Sequence, residues 1–173
     1  MSITLILGGT KSGKSKLAET RAQASGKPVI YIATARADDE EMQQRIEQHQ
    51  RQRPAHWQTV ETPIYLAQTL REYDRAEHCI LVDCLTLWLT NLLLAESSDL
   101  TQQKNALLDQ LTQSQAEIIL VSNETNMGII PLGELSRRYT DEAGLLHQHI
   151  AAISDNVILT IAGLPHQLKG HKE

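Results

Sequence analysis

Residues 8–15 read Gly8-Gly9-Thr10-Lys11-Ser12-Gly13-Lys14-Ser15, a complete G-x-x-x-x-G-K-[ST] phosphate-binding loop. The apolar run before it, Ile3-Thr4-Leu5-Ile6-Leu7, predicts a buried strand feeding the loop, and Lys14-Ser15-Lys16-Leu17-Ala18-Glu19 predicts a helix leaving it. Glycines let backbone N–H groups close around phosphate oxygens, and the helix N-terminus adds a positive dipole end. In such a loop Lys14 reaches the β- and γ-phosphates and the Ser15 hydroxyl ligates Mg²⁺. The expected ligand is a nucleoside triphosphate.

Working outward, apolar runs recur with helical stretches between them, the pattern of an α/β fold with a mostly parallel sheet flanked by helices. Strands are predicted at Ile3–Leu7, Val29–Ala33, Ile80–Asp83, Ile118–Ser122 and Val157–Ile161. Helices are predicted at Lys14–Ala24, Asp38–Gln52, Pro63–Tyr73, Leu85–Ala95, Thr101–Gln115 and Leu132–Ile153, the last expected to be broken. The polar tail from Pro165 to Glu173 is expected to fray. No internal repeat or linker interrupts the chain, so a single nucleotide-binding domain over residues 1–173 is expected. Ligands of such sheets collect at the carboxyl ends of the strands. That nominates the loops Gly8–Ser15, Thr34–Asp39, Asp83–Cys84, Asn123–Pro131 and Gly163–Pro165.

Composition narrows the function classes. Hydrophobic residues make up 41% and charged residues 21%, as in a globular domain, and aromatics only 3% with no Phe, so the core must be aliphatic. A net charge of −5 and a pI near 5.8 argue against a general nucleic-acid binder. Cys79 and Cys84 flank a predicted buried strand and read as free thiols of a reducing compartment. The first apolar run is too short for a signal peptide, and Leu85–Leu94 is about half a membrane span. A cytoplasmic protein without a membrane span is expected.

Several residues could carry chemistry. Cys79-Ile80-Leu81-Val82-Asp83 is an apolar run ending in a carboxylate, the usual form of the Mg²⁺-assisting acid beside a phosphate loop. Asp83 could instead cap the helix that follows. Asp38–Arg53 opens acidic (Asp38, Asp39, Glu40, Glu41) and continues basic (Arg45, Arg51, Arg53), the order the helix dipole favours. Helical spacing sets Met42, Ile46, His49 and Arg53 on one stripe, with Arg45 one turn before His49. A histidine among arginines near a phosphate site could attack phosphorus to give a phosphoramidate, or could simply pack on the partly apolar face. Glu61 follows a possible short edge strand. Glu124, after a strong strand, could orient an acceptor hydroxyl, assist a metal, or lie solvated in its loop.

Taken together these motifs resemble the bifunctional adenosylcobinamide kinase/adenosylcobinamide-phosphate guanylyltransferase family of cobalamin biosynthesis. The resemblance rests on Gly8–Ser15, Tyr31-Ile32-Ala33-Thr34-Ala35, Asp39–Met42, the Arg45-Ile46…His49…Arg53-Pro54 run with Trp57, Glu61 and Val82–Leu92. It continues through Ser122-Asn123-Glu124, Met127–Pro131, Asp155 and Ala162–Pro165, so it spans nearly the whole chain. It implies a P-loop NTPase fold of the RecA-like kind and a homotrimer. The implied work is transfer of a nucleotide γ-phosphate, from ATP or GTP, to the aminopropanol hydroxyl of adenosylcobinamide. GMP transfer from GTP to that phosphate then follows, through a guanylylated histidine matching His49. The implied nucleotide contacts are Gly8, Gly9, Thr10, Lys11, Ser12, Gly13, Lys14, Ser15, Ala33, Thr34, Ala35, Gln50, Arg51, Gln52, Arg53, Glu61 and Asp83. Ser15 and Asp83 would serve Mg²⁺.

Two positions depart from the family pattern. Thr140 stands where an arginine is frequent and His147 where an asparagine is frequent, both in the long late helix. Exposed apolar residues on the Leu85–Leu94 helix would suit an oligomer contact, although burial explains them equally well. A monofunctional small-molecule kinase and a nucleotide-dependent switch are the competing readings, and a switch would not need the Arg45/His49/Arg53 stripe.

Overall fold

The computed structural model describes residues 1–36, 40, 43–44, 53–95 and 99–170. Within them the order is β1 (Ser2–Gly8), α1 (Lys14–Ala24), β2 (Val29–Ala33), β3 (Gln58–Glu61), α2 (Leu66–Tyr73), β4 (Cys79–Asp83) and α3 (Leu85–Leu94). Then come α4 (Leu100–Gln113), β5 (Glu117–Asn123), α5 (Glu134–Ile153), β6 (Asn156–Ile161) and β7 (Leu164–Lys169). The strands form a seven-stranded sheet in the order β3-β2-β4-β5-β1-β6-β7. Every pairing is parallel except β6 with β7. β5 is thus inserted between β1, which carries the phosphate loop, and β4, which ends in Asp83.

Strand alternation sorts the apolar residues onto two faces. Ile3, Leu5 and Leu7, Ile30 and Ile32, Ile80 and Val82, and Ile118 and Leu120 join Trp88, Leu107, Leu111, Leu146 and Ile150 in one core beneath α2–α5. Ile6, Tyr31, Leu81, Ile119 and Val121 face the other way, against Ala18 and Ala22 of α1 and the Trp57 indole. Two alanines at i, i+4 let α1 lie close on the sheet, where larger side chains would hold it away. α5 meets its face with Ala143, Leu146, His147 and Ile150, the helical spacing of one buried stripe.

Polar clips fix the strand ends away from the site. The Asp155 carboxylate accepts from the Ile3 N–H at 2.7 Å and holds the start of β1. Asp74 accepts from the Ser114 hydroxyl and from the Gln115 and Ala116 N–H groups at 2.7–2.9 Å, closing the turn into β5. The Trp88 indole N–H donates to the Ile64 carbonyl at 2.8 Å, so the most buried aromatic leaves no orphan donor.

Two expectations change. Leu132–Ile153 is not broken: α5 runs unbroken from Glu134, and Gly144 within it faces the Asn126 amide, where a Cβ would lie 2.7 Å from Nδ2. The glycine serves close packing there, not a kink. The tail does not fray at Pro165, because Ala162 and Gly163 at φ 52° and 79° make a tight turn that pairs β7 with β6. Of the two readings left open for α3, burial accounts for Leu85, Trp88, Leu89 and Leu92, which lie in the core, while Leu94 is exposed. The predicted helix Asp38–Gln52 lies almost wholly outside the described residues.

Candidate active site

The loop after β1 owes its shape to two glycines. A Cβ on Gly8 would stand 2.4 Å from the Ser12 hydroxyl and 2.6 Å from the Thr160 carbonyl, so only glycine fits. Gly13 sits at φ 96° with α1 starting at the next residue, and Lys11 also has positive φ. This alternation of backbone hands turns successive N–H groups inward, the concavity that receives phosphate oxygens. The hairpin braces it from outside, with the Gly163 N–H donating to the Ser12 carbonyl at 2.9 Å. Ser12 Oγ is buried without a protein partner.

Lys14 folds back over the loop and donates to the Gly9 carbonyl at 3.0 Å. Burial lowers its pKa, while the nearby Cys84 and Asp83 oppose that shift. The ammonium is therefore largely removed from water and lies within electrostatic reach of Asp83.

Asp83 ends β4 on the same side of the sheet as α1. Its Oδ2 accepts from the Tyr31 hydroxyl at 3.0 Å, across the β2–β4 ladder in which Ala33 is the register partner of Asp83. The Tyr31 phenol is pushed well above its ordinary range, by burial first and then by Asp83, so it remains a donor. Above its ring lies the Arg53 guanidinium, 3.5 Å from the centroid, and Trp57 stacks at 6.5 Å. Arg53 Nε and Trp57 Nε1 are buried without a protein partner. Arg53 and Asp83 are thus joined through one tyrosine.

Thr34 is fully buried, and its hydroxyl donates to the Cys84 carbonyl at 2.6 Å and accepts from the Cys84 N–H at 3.0 Å. Asn91 Nδ2 holds the Thr34 carbonyl at 2.8 Å. The Thr34 side chain therefore clips β2 to the turn after Asp83, leaving the part-exposed Ala33 and Ala35 at the open edge. Glu61 ends β3 exposed, in register with Ala33 and four strands from β1. At about 4.8 Å per strand that is about 19 Å, a span suited to the far end of a nucleotide rather than to its phosphates.

The structure brings together Gly8–Ser15, Asp83, Tyr31 and Arg53. His49, Arg45, Gln50, Arg51 and Gln52 lie outside the described residues. Tyr31 escaped sequence reasoning because a tyrosine within an apolar strand reads as core; only the register reveals its hydroxyl beside a carboxylate. Cys79 and Cys84 are free, buried thiols, each pushed up to about 11 chiefly by burial. Among the described residues no group of three His, Cys, Asp or Glu could hold a metal by itself. One hydroxyl and one carboxylate, Ser15 and Asp83, fit Mg²⁺, which keeps waters and takes its other oxygens from substrate phosphates.

Comparison with known proteins gives three kinds of likeness. The family described as cobinamide kinase / cobinamide phosphate guanyltransferase matches residues 4–168. The chain is 59% identical over 167 residues to the bifunctional adenosylcobalamin biosynthesis protein CobP of Pseudomonas aeruginosa, covering 96% of each. Among solved structures it is similar to the P4 protein from bacteriophage phi6 in complex with ADP, at TM-score 0.51 and 18% identity, over 95% of this chain and 54% of that one. It is also similar to the RadB recombinase, at TM-score 0.50 and 14% identity, over 91% of this chain and 73% of that one. These last two establish the fold alone, an α/β arrangement with a mostly parallel sheet flanked by helices.

Proposed function

We infer how this site works from one premise: the chain belongs to the cobinamide kinase / cobinamide phosphate guanyltransferase family. It is a bifunctional enzyme of adenosylcobalamin biosynthesis, a kinase and a guanylyltransferase acting on cobinamide. Both activities are assigned to a single P-loop domain over residues 1–173 and to one phosphate cradle. The observation that carries this is the pairing of the Gly8–Ser15 loop, closed by Lys14, with the Asp83 carboxylate, fixed by Tyr31.

In the kinase step the loop N–H groups and Lys14 hold the β- and γ-phosphates of ATP or GTP. The acceptor hydroxyl of adenosylcobinamide attacks the γ-phosphorus, and the bond to the bridging oxygen breaks to release the diphosphate. Mg²⁺ held by Ser15 and Asp83 supplies charge screening when bound. In the second step a ring nitrogen of His49 attacks the α-phosphorus of GTP and pyrophosphate leaves. The corrinoid phosphate then attacks the guanylylated histidine, giving adenosylcobinamide-GDP and freeing His49. Arg51 and Arg53 neutralise the triphosphate. Ala33, Thr34, Ala35, Gln50, Gln52 and Glu61 are assigned to the rest of the nucleotide, Thr34 through its placement of the strand end.

A homotrimer is proposed for the assembly, with exposed Ile161, Leu164 and Leu168 of the hairpin offering an apolar face. Cytoplasmic residence is supported by the two free thiols, and no helix of the described residues is long and apolar enough to cross a membrane.

The reading is tested by giving the enzyme cobinamide with GTP labelled first at the γ- and then at the α-phosphorus. Label should enter the corrinoid from both positions, the γ-label first. Entry of the γ-label alone would reduce the protein to a kinase.

A further inference from the structure

On the sheet face opposite α1, the carboxyl end of β5 gathers a polar cluster that the nucleotide does not account for. Ser122 Oγ meets the buried His147 Nε2 at 2.7 Å and Thr86 Oγ1 at 3.4 Å. Thr86 Oγ1 accepts from the Asn123 N–H at 2.7 Å, so α3 is tied to the strand end. The Glu124 N–H donates to the Gly8 carbonyl at 3.0 Å, placing this residue directly against the phosphate loop. Its Oε1 accepts from the Asn126 N–H at 2.6 Å, which fixes the carboxylate, and Asn126 Nδ2 in turn reaches the Thr140 carbonyl of α5 at 2.9 Å.

Into this cluster α5 sends Tyr139, whose hydroxyl is buried and has no hydrogen-bond partner. The Thr86 and Thr125 hydroxyls and the Glu124 carboxylate are the polar groups that surround it. A buried unpaired hydroxyl carries its full desolvation cost, so its presence points to a partner that arrives with a ligand. Beyond Asn126 the chain presents Met127, Ile129, Ile130 and Leu132, exposed at 73%, 96%, 76% and 96%. A fixed carboxylate and an unpaired hydroxyl, bordered by exposed apolar side chains, suit an alcohol carried on a large, partly apolar body.

We propose that Tyr139, Thr86 and Glu124 form the acceptor subsite, in which the cobinamide hydroxyl is received and its proton removed. The inference rests on the kinase reading given above. Tyr139 donates to the acceptor oxygen and Glu124 takes its proton as the new oxygen–phosphorus bond forms and the nucleoside diphosphate departs. The corrin ring lies against Met127–Leu132. Asp83, Lys14 and Arg53 gather on the α1 side of the sheet, whereas Ser122 and His147 define the other. Donor and acceptor thus approach the loop from opposite faces of the sheet.

The test uses the full chain and the variants Tyr139→Phe and Glu124→Gln. Cobinamide binding is read by equilibrium dialysis from the corrin's visible absorbance, nucleotide binding from a fluorescent GTP analogue, and phosphorylation by steady-state kinetics. Tyr139→Phe should weaken cobinamide binding about fivefold or more, and Glu124→Gln should lower kcat about a hundredfold. Both should leave the nucleotide Kd within about twofold, which also reports an intact fold. Unchanged cobinamide binding and turnover in both variants would overturn the subsite and leave the kinase reading standing. Parallel loss of nucleotide affinity would assign the cluster to the donor instead and overturn it too. A wild-type chain that binds nucleotide but no cobinamide would overturn both. Conversion of a trimer to monomers by Ile129→Ser, with cobinamide binding unchanged, would assign the apolar border to a second copy of the chain and overturn the placement of the ring.

Discussion

Tyr31 shows how much of this site depends on side chains that touch no substrate in the mechanism. Its hydroxyl bonds Asp83 and its ring lies under Arg53, so one residue couples the acid proposed to assist the metal to the cation proposed to neutralise phosphate. Tyr31→Phe keeps the ring under Arg53 and removes only a hydrogen bond to a carboxylate, an interaction of about 1.5–3 kcal/mol. The kcat for phosphorylation should fall about tenfold while the nucleotide KM moves less than about twofold, because orientation is lost and binding is not. An unchanged kcat in steady-state assays would remove Tyr31 from this role. The cysteines make a second residue-scale case. With both thiols buried and pushed up to about 11, neither should react with an aromatic disulfide reagent at about pH 8 until the chain unfolds, when both should. The place of Asp83 at a strand's carboxyl end was legible because it closes an apolar run. Tyr31 was not, since its meaning lies in a neighbouring strand.

At the scale of elements, the parallel strands were legible because strands buried on both faces must be continuously apolar. β7 was missed for the converse reason: Leu-Pro-His-Gln-Leu-Lys is an edge strand, largely exposed and opened by a proline that its edge position tolerates. That hairpin matters to the site through the bond from the Gly163 N–H to the Ser12 carbonyl. Gly163 stands at φ 79° with open space around its Cα, so Gly163→Ala meets no clash and pays only for backbone strain. Urea unfolding should report a loss of about 1–2 kcal/mol. Nucleotide affinity should weaken with it, as the turn bracing Ser12 shifts. A variant as stable as the parent and binding nucleotide equally well would show that the hairpin does not brace the loop.

Across the whole molecule, the two sheet faces divide the work. The α1 face holds the phosphate loop, Asp83, Tyr31 and Arg53; the α5 face holds His147 and Ser122 behind the proposed acceptor subsite. Burial lowers the His147 pKa below its ordinary 6.5, against a smaller upward pull from Glu124. The unfolded chain therefore takes up a proton that the folded chain resists. Stability from a neutral His147 is complete above 6.5 and is lost as pH falls from there toward the lowered folded value. Urea midpoints at about pH 7.5 and about pH 5.5 should differ for the parent and converge for His147→Gln. His147 is thus a buried imidazole bonded to Ser122. His49 is assigned from its spacing among arginines and from the family resemblance. The claim that one phosphate cradle serves two transfers depends on that residue. Incubation with α-labelled GTP and Mg²⁺, without cobinamide, should leave an acid-labile, alkali-stable label on the parent and none on His49→Ala. Label persisting on His49→Ala would contradict the assignment.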